Sequence, residues 1–467
     1  MSLMKNKDYF KGKKVTVAGL ARSGFACANL LYDLGADVSV TDNQDNDSTR
    51  TYASQLKSMV RLRSPLTLSG AEVSKNINPV RNTTQTNSNT TVSNGIKIEI
   101  GGHSQDFIRG KDLLVVSPGI PDTALPIVLA KQFQIPVISE IELAWILCPA
   151  TVIAVTGSNG KTTVTTLIGK ALEAGGEKVF ISGNIGNPFC GEVEKMDPGD
   201  FVSLEVSSFQ LEKIREFKPK IALILNFSRN HLDRYKDIGE YLVAKKRIFM
   251  NQDKSDYLVL NYEDPIVKEL AKETKAKVVY FSKTPDLNPN QAAVLAVASI
   301  LGINKELCLE VFREFKGIEH RLEYVTEINN VTFINDSKST TVDSAIWAFK
   351  NISCPIVLIA GGKHKGIGYS IVSDLIREKA REVILIGEAK EKIKNALEGF
   401  LSIDEASTLE EAVKLAFSKA KSGDCVLLSP MCSSFDMFLN YEERGKVFKQ
   451  AVFDLNKAIT YGARRAT

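Results

Sequence analysis

Thr151-Val152-Ile153-Ala154-Val155-Thr156-Gly157-Ser158-Asn159-Gly160-Lys161-Thr162-Thr163 decides how this chain is read. An apolar run of strand length ends in a turn punctuated by Gly157 and Gly160, and Gly-Lys-Thr-Thr then opens an amphipathic helix. A phosphate needs inward backbone N–H groups, a helix N-terminus, a mobile cation and a hydroxyl for its metal, and this stretch supplies all of them. The glycines let backbone and anion approach with no side chain between them. Lys161 can reach β- and γ-phosphates, and Thr162 can ligate Mg2+. The longer consensus G-x-x-x-x-G-K-[ST] would place a glycine where this chain has Val155, so the match is to a shortened loop. A glycine turn with an incidental surface lysine leaves Lys-Thr-Thr unexplained. Gly157, Ser158, Asn159, Gly160, Lys161, Thr162 and Thr163 are therefore the candidate nucleotide-binding residues.

Outward from this loop, strand and helix patterns alternate, and 467 residues exceed one ordinary core. The reading is an α/β protein of three domains, with boundaries near 139 and 317: residues 1–139, 140–317 and 318–467. Near the N-terminus, Lys14-Val15-Thr16-Val17-Ala18-Gly19 is a strand ending in glycine. A helix follows from Ser23-Gly24 and a second strand ends at Asp42, a βαβ opening of Rossmann type. Ala21 stands where the G-x-G-x-x-G fingerprint has its middle glycine, which weakens a dinucleotide reading. Residues 44–95 change texture: 76–91 are rich in Asn, Thr and Ser and read as a loop or disordered insertion. Beyond it, Asp112-Leu113-Leu114-Val115-Val116 is a buried-type strand with Ser117-Pro118-Gly119 at its C-terminal end, where α/β sheets keep ligands.

The net charge of +4 comes without a block of like charge and gives no reason to expect nucleic acid. No apolar stretch approaches the ~20 residues of a membrane span. The polar, basic N-terminus lacks the apolar core of a signal peptide. Seven scattered cysteines with no C-x-x-C pair favour a reducing cytosol over a disulfide framework or structural zinc. A cytoplasmic monomer acting on small substrates is the expectation.

Other strand ends carry polar constellations. Leu204-Glu205-Val206-Ser207-Ser208-Phe209-Gln210-Leu211-Glu212 places Glu205 at the end of a buried strand, where a carboxylate is costly unless paired or metal-bound, with a helix expected over 209–217. Asn226-Phe227-Ser228-Arg229-Asn230-His231-Leu232-Asp233 follows another apolar run. In the last third, Asp336-Ser337-Lys338-Ser339-Thr340, Gly361-Gly362-Lys363-His364-Lys365 and Ser429-Pro430-Met431-Cys432-Ser433-Ser434-Phe435 each follow a strand. Three loops bearing lysines or hydroxyls on strands of one sheet suit carboxylates or phosphates. Lys245, within Tyr241-Leu242-Val243-Ala244-Lys245-Lys246-Arg247, reads on its own as part of a solvated helix face.

Taken together, these motifs resemble the Mur ligase family, ATP-dependent amide-forming enzymes of peptidoglycan precursor synthesis, nearly end to end outside 44–95. Val155 is the residue expected in that family's shortened loop. The serine-rich run 429–435 followed by Tyr441-Glu442-Glu443-Arg444-Gly445 resembles the branch that adds D-glutamate to UDP-N-acetylmuramoyl-L-alanine. The resemblance implies a Rossmann-like UDP-substrate domain, a central ATPase domain and a Rossmann-like C-terminal domain that closes on the central one. It assigns ATP contacts to Asn290, Arg321, Asp336 and Lys338 beside the glycine loop. The UDP-substrate falls to Arg22, Ser23, Ser117, Gly119, Asn184, Gln210 and His231, and D-glutamate to Thr340, Lys365, Ser434 and Phe435. Two Mg2+ ions would be held by Thr162, Glu205, His231 and Lys245, the lysine as a carbamate, because an ammonium cannot ligate a cation. Lys161, His231 and Lys245 are the implied catalytic groups. Two departures stand out: Leu287-Asn288-Pro289-Asn290 replaces the usual adenine-side motif, and Asn43-Gln44 follows Asp42 where arginine is usual. The competing readings are another amide ligase of folylpolyglutamate-synthase type, a non-catalytic nucleotide-binding homologue and, third, an NAD dehydrogenase.

Overall fold

The computed structural model describes residues 7–62, 90–93, 96–228, 234–364, 368–399 and 402–465. They form two compact units, Met1–Phe315 and Lys316–Thr467, the first holding two six-stranded sheets and the second one.

In the first sheet β1 (Lys14–Ala18), β2 (Asp37–Asp42), β3 (Thr90–Ser93), β4 (Ile96–Ile100), β5 (Leu113–Val116) and β6 (Val137–Ser139) run in the order β3-β4-β2-β1-β5-β6. Only β3 is antiparallel to its neighbour. The helix Arg22–Asp33 packs so closely behind β1 that a Cβ on Gly24 would sit 1.7 Å from the Gly19 carbonyl oxygen. Glycine is required there by space.

Residues 44–95 differ from the sequence expectation. The helix Asp47–Leu62 occupies their first part, with Thr49, Ala53 and Leu56 buried at helical spacing, and β3 closes the other end against β4. Apolar periodicity, sparse as it is, gives this segment a face to bury. Residues 63–89 lie outside the described set.

The second sheet contains β7 (Thr151–Thr156), β8 (Val179–Gly183), β9 (Phe201–Glu205), β10 (Ile221–Ile224), β11 (Tyr257–Asn261) and β12 (Lys277–Phe281), in the order β12-β11-β10-β7-β9-β8 and parallel throughout. Its inner strands β7, β9, β10 and β11 are buried on both faces, hence the apolar runs that made them legible, while the edge strands β8 and β12 are partly exposed. The glycine loop leaves β7 inside the sheet, where chain direction across the sheet reverses and α/β folds open a crevice.

One apolar core runs through both sheets of the first unit, from Val15 and Val17 to Val152, Ala154 and Leu204. The helix Glu140–Leu147 lies inside it, apolar almost all round. Its two carboxylates serve as connectors. Glu142 accepts backbone N–H bonds from Arg215, Glu216 and Phe217 at 2.9, 2.7 and 3.0 Å. Those N–H groups are thereby withdrawn from helical pairing, and Pro219 follows, so the helix expected over 209–217 is only Ser208–Leu211. Glu140 accepts from the Cys190 N–H at 2.7 Å while its Oε2 is buried without a partner.

The second unit holds β13 (Glu323–Ile328), β14 (Val331–Asn335), β15 (Ile356–Gly361), β16 (Ala380–Ile386), β17 (Ile403–Glu405) and β18 (Cys425–Leu428), in the order β13-β14-β18-β15-β16-β17. β13 is antiparallel to β14 and the other pairings are parallel. The three polar loops of the last third therefore leave three adjacent strands, β14, β18 and β15, at the same sheet edge.

Burial pushes the Glu140 carboxyl up to about 7 from 4.5. The unfolded chain releases this proton first, so the folded state holds more protons across that window and stability falls as pH rises through it. Glu140→Gln is expected to remove a component on the order of 3 kcal/mol from that fall. Urea unfolding of both proteins at pH 5 and pH 7.5 reads it, and identical pH dependence would contradict the assignment.

Candidate active site

The glycine loop is built as a strap between two strand ends. Gly160 takes φ +83° as the N-cap of the helix Lys161–Ala174, a left-handed conformation that glycine adopts without strain. Asn226, just past β10, holds the loop from the side: its Oδ1 accepts from the Asn159 N–H at 2.8 Å and its Nδ2 donates to the Asn159 carbonyl at 3.1 Å. The Asn226 carbonyl accepts from the Ser158 N–H at 3.0 Å, and the Ser158 hydroxyl donates to Ser228 O at 3.2 Å. Asn226 was not among the sequence candidates; an asparagine ending an apolar strand beside a glycine loop is the signal that could have found it.

Two lysines converge on one atom of this loop. Lys161 Nζ donates to Gly157 O and Ser158 O, each at 3.1 Å. Lys245 Nζ donates to the same Gly157 O at 2.8 Å. Lys245 ends the helix Ile238–Lys246 yet is only 1% exposed, its ammonium 4.6 Å from the centre of the Tyr241 ring. The solvated-face reading of this lysine is therefore overturned: the side chain turns inward. Desolvation, and then Lys161, hold its pKa well below the ordinary lysine value, with Glu205 pulling the other way. A buried amine held below its ordinary basicity gives up its proton more readily and is then a nucleophile as well as a base.

Glu205, at the end of β9, is 2% exposed. Its Oε1 accepts from Asn184 Nδ2 at 2.7 Å, and its Oε2 is buried without a hydrogen-bond partner. An orphaned carboxylate oxygen, with the hydroxyl-bearing Thr162 buried in the first turn of the helix after the loop, fits the oxygen donors that Mg2+ takes while keeping water in its shell. Among the described residues no group of three or more His, Cys, Asp or Glu is placed to hold a metal. His231 lies outside the described residues, as does Lys365.

Asn290 is brought to the loop: its Oδ1 is 2.5 Å from where a Cβ on Gly160 would stand. The altered motif before it forms a capping box, Asn288 with Gln291, that starts the helix Pro289–Leu301. Arg22 donates to the Gly186 carbonyl, joining the first helix to the loop after β8, and Ser23 follows it in that helix. Ser117 donates to Gly19 O at 3.1 Å, and the Gly119 carbonyl accepts from Arg234 at 3.2 Å. Gln210 is buried and closes a capping box with Ser207.

In the second unit Asp336 is 1% exposed and accepts from Ser339 Oγ, Ser429 Oγ and Leu322 N at 2.5, 2.9 and 3.2 Å. Burial raises its carboxyl to about 6. Arg321 lies over the Trp347 ring and Lys338 over Tyr441, while Thr340 donates its N–H to Lys338 O at 2.8 Å. Ser434 is buried and Phe435 is 62% exposed, a large ring left in solvent at a loop tip. Arg444, unassigned in the sequence reading, is 1% exposed and ties the loops after β14 and β18 by donating to Ser337 O at 2.9 Å and Cys432 O at 3.2 Å.

Residues 155–300 match the Mur ligase middle domain, and residues 320–432 match the Mur ligase, glutamate ligase domain. The chain belongs to the Mur ligase family. It is 37% identical to UDP-N-acetylmuramoylalanine--D-glutamate ligase of Thermoanaerobacter pseudethanolicus over 96% of this chain and 99% of that protein. It is 39% identical to the protein of the same name from Geotalea uraniireducens over 95% and 98%. Among solved structures, UDP-N-acetylmuramate-alanine ligase MurC of Thermotoga maritima shares the fold, with a TM-score of 0.55 at 18% identity over 95% of this chain and 99% of that one.

Because the unfolded chain keeps the Lys245 proton up to its ordinary pKa while the folded state surrenders it earlier, folding becomes more favourable as pH rises between the two. Lys245→Met, in bicarbonate-free buffer, is expected to raise the unfolding midpoint at neutral pH and flatten that alkaline gain. Gly157 O keeps Lys161 as a donor in the variant. An unchanged pH slope in thermal unfolding would show that the lysine is not buried as described.

Proposed function

We propose that this chain is an ATP-dependent ligase, acting in the cytoplasm, that joins D-glutamate to UDP-N-acetylmuramoyl-L-alanine in peptidoglycan precursor synthesis. The observation that carries the chemistry is the convergence of Lys161 and Lys245 on Gly157 beside the orphaned oxygen of Glu205. The full-length likeness to enzymes named for that substrate pair supports the choice of substrates.

In this reading the alanyl carboxylate attacks the γ-phosphorus of ATP, ADP departs, and an acyl phosphate forms. The amine of D-glutamate then attacks the acyl carbon. The tetrahedral adduct loses a proton and expels phosphate, leaving an amide. Lys161 sits where negative charge builds on the transferring phosphoryl, held in place by two carbonyls so that little reorganisation is needed. The loop residues 157–163 cradle the phosphates, with Asn290 on the adenine side and Arg321, Asp336 and Lys338 as further ATP contacts. The ionised or hydrogen-bonded form of Asp336 is held by its two serine donors.

Thr162, Glu205, His231 and Lys245 are the proposed metal ligands. Mg2+ held there would supply charge to neutralise phosphate oxygens and polarise the phosphoryl group. Lys245 serves as a ligand once its amine has added CO2 and lost a proton, and its depressed basicity favours that addition because only the neutral amine reacts. Arg22, Ser23, Ser117, Gly119, Asn184, Gln210 and His231 take the UDP-substrate. Thr340, Lys365, Ser434 and Phe435 take D-glutamate, the lysine and hydroxyls as donors to its carboxylates.

ADP release measured with UDP-N-acetylmuramoyl-L-alanine and a panel of amino acids tests the reading. D-glutamate is expected to exceed L-glutamate, L-lysine and L-alanine by about a hundredfold or more in kcat/KM, because a site built to hydrogen-bond its carboxylates rejects acids that leave those donors unpaired. Equal turnover across the panel would contradict the assignment.

A further inference from the structure

Arg234 follows directly on the segment that carries His231, and no role attaches to it in the reaction as proposed. Its side chain is 16% exposed, and both terminal nitrogens of its guanidinium are engaged. Nη1 donates to Gly119 O and Nη2 to Ile120 O, both at 3.2 Å. Nη2 also meets Glu212 Oε2 at 2.8 Å, and the guanidinium lies 4.7 Å from the centre of the Phe209 ring. Glu212 is shared: its Oε1 accepts from Tyr235 OH at 2.7 Å, and the Tyr235 ring stacks on Phe209 at 5.9 Å.

An ordinary surface ion pair joins two mobile side chains and contributes little. This one joins two backbone carbonyls on one side to the Glu212 carboxylate and the Phe209 ring on the other. On one side stands the turn after β5, anchored to β1 by the Ser117 N–H to Ala18 O bond at 3.0 Å. On the other stands the short helix Ser208–Leu211, which carries Gln210. A planar fork is needed, since carbonyls of consecutive residues and a carboxylate must be reached at once.

We infer that Arg234 is a positioning residue for the UDP-substrate: it sets the spacing between the Ser117–Gly119 turn of the first sheet and Gln210 of the second, with Glu212 fixing the fork. This rests on the proposed assignment of those residues to the UDP-substrate. Asp122 and Lys213 make a second ion pair across the same junction, so loss of Arg234 leaves the two sheets joined.

Steady-state kinetics, with each substrate varied while the others saturate, test the inference on Arg234→Lys and Glu212→Gln. For Arg234→Lys, KM for UDP-N-acetylmuramoyl-L-alanine is expected to rise about tenfold while KM for ATP and D-glutamate stays within about twofold. Glu212→Gln, which leaves the fork and both carbonyls in place, should show the same pattern at about threefold. A change confined to kcat, or KM values unchanged or raised alike for all substrates, overturns the inference. Calorimetric binding of the UDP-substrate without ATP separates the failures. If wild-type protein binds it but does not turn over, the ligase reading falls and Arg234 is judged on Kd: a rise of about tenfold in Arg234→Lys upholds it, an equal Kd overturns it. If wild-type protein does not bind it, both fall.

Discussion

Two lysine side-chain nitrogens donating to a single carbonyl oxygen is the constraint around which the first unit is organised. Lys161 and Lys245 meet at Gly157 O, Lys161 from the helix after β7 and Lys245 from a helix remote in sequence. Two like charges there would repel, and burial would strengthen the repulsion, so desolvation and Lys161 together hold Lys245 well below its ordinary basicity. The arrangement survives because neighbouring elements hold it: Asn226 fixes the loop, the Tyr241 ring faces Lys245, and one core runs beneath both sheets. Stability is spent to hold positive charge where a polyanion would neutralise it, as expected of a site preorganised for phosphoryl transfer. Glu205, held by Asn184 through one oxygen and left unpartnered at the other, extends the same logic to a cation.

The second unit shows another solution to the same problem of presenting polar groups at a sheet edge. Loops after the neighbouring strands β14, β18 and β15 are bound to one another through buried groups. Asp336 gathers hydroxyls from two of them, and the Lys363 N–H reaches Ser433 O at 2.9 Å. The buried Arg444 draws the final helix into the same network through Ser337 and Cys432. The groups proposed to meet substrate in this unit therefore stand on backbone that is cross-braced by polar interactions.

How much of this was legible in the sequence depended on how local its cause was. Doubly buried parallel strands write themselves as unbroken apolar runs, so β1, β5, β7, β9, β10, β15 and β18 were readable along with the glycine loop. The helix Asp47–Leu62 was not, because a few buried positions, Thr49, Ala53 and Leu56, were lost against the polar segment that follows. The helix expected over 209–217 stopped at Leu211 because Glu142, about seventy residues earlier, takes the N–H groups that would have extended it. Tertiary contacts of this kind leave no local mark. Lys245 is the sharpest case: its neighbours in sequence are those of a solvated helix end, and only the fold buries it. Family resemblance located that lysine where residue-level reasoning could not, whereas Asn226 and Arg234 emerged from the structure alone.

The claim at the centre is that the loop at 156–163 serves carboxylate activation, with the substrate oxygen passing to phosphate. UDP-N-acetylmuramoyl-L-alanine labelled with 18O in its alanyl carboxylate, turned over with ATP and D-glutamate, tests this directly by mass spectrometry of the inorganic phosphate released. One 18O atom is expected in each phosphate formed from a doubly labelled carboxylate. Unlabelled phosphate released alongside product would contradict it.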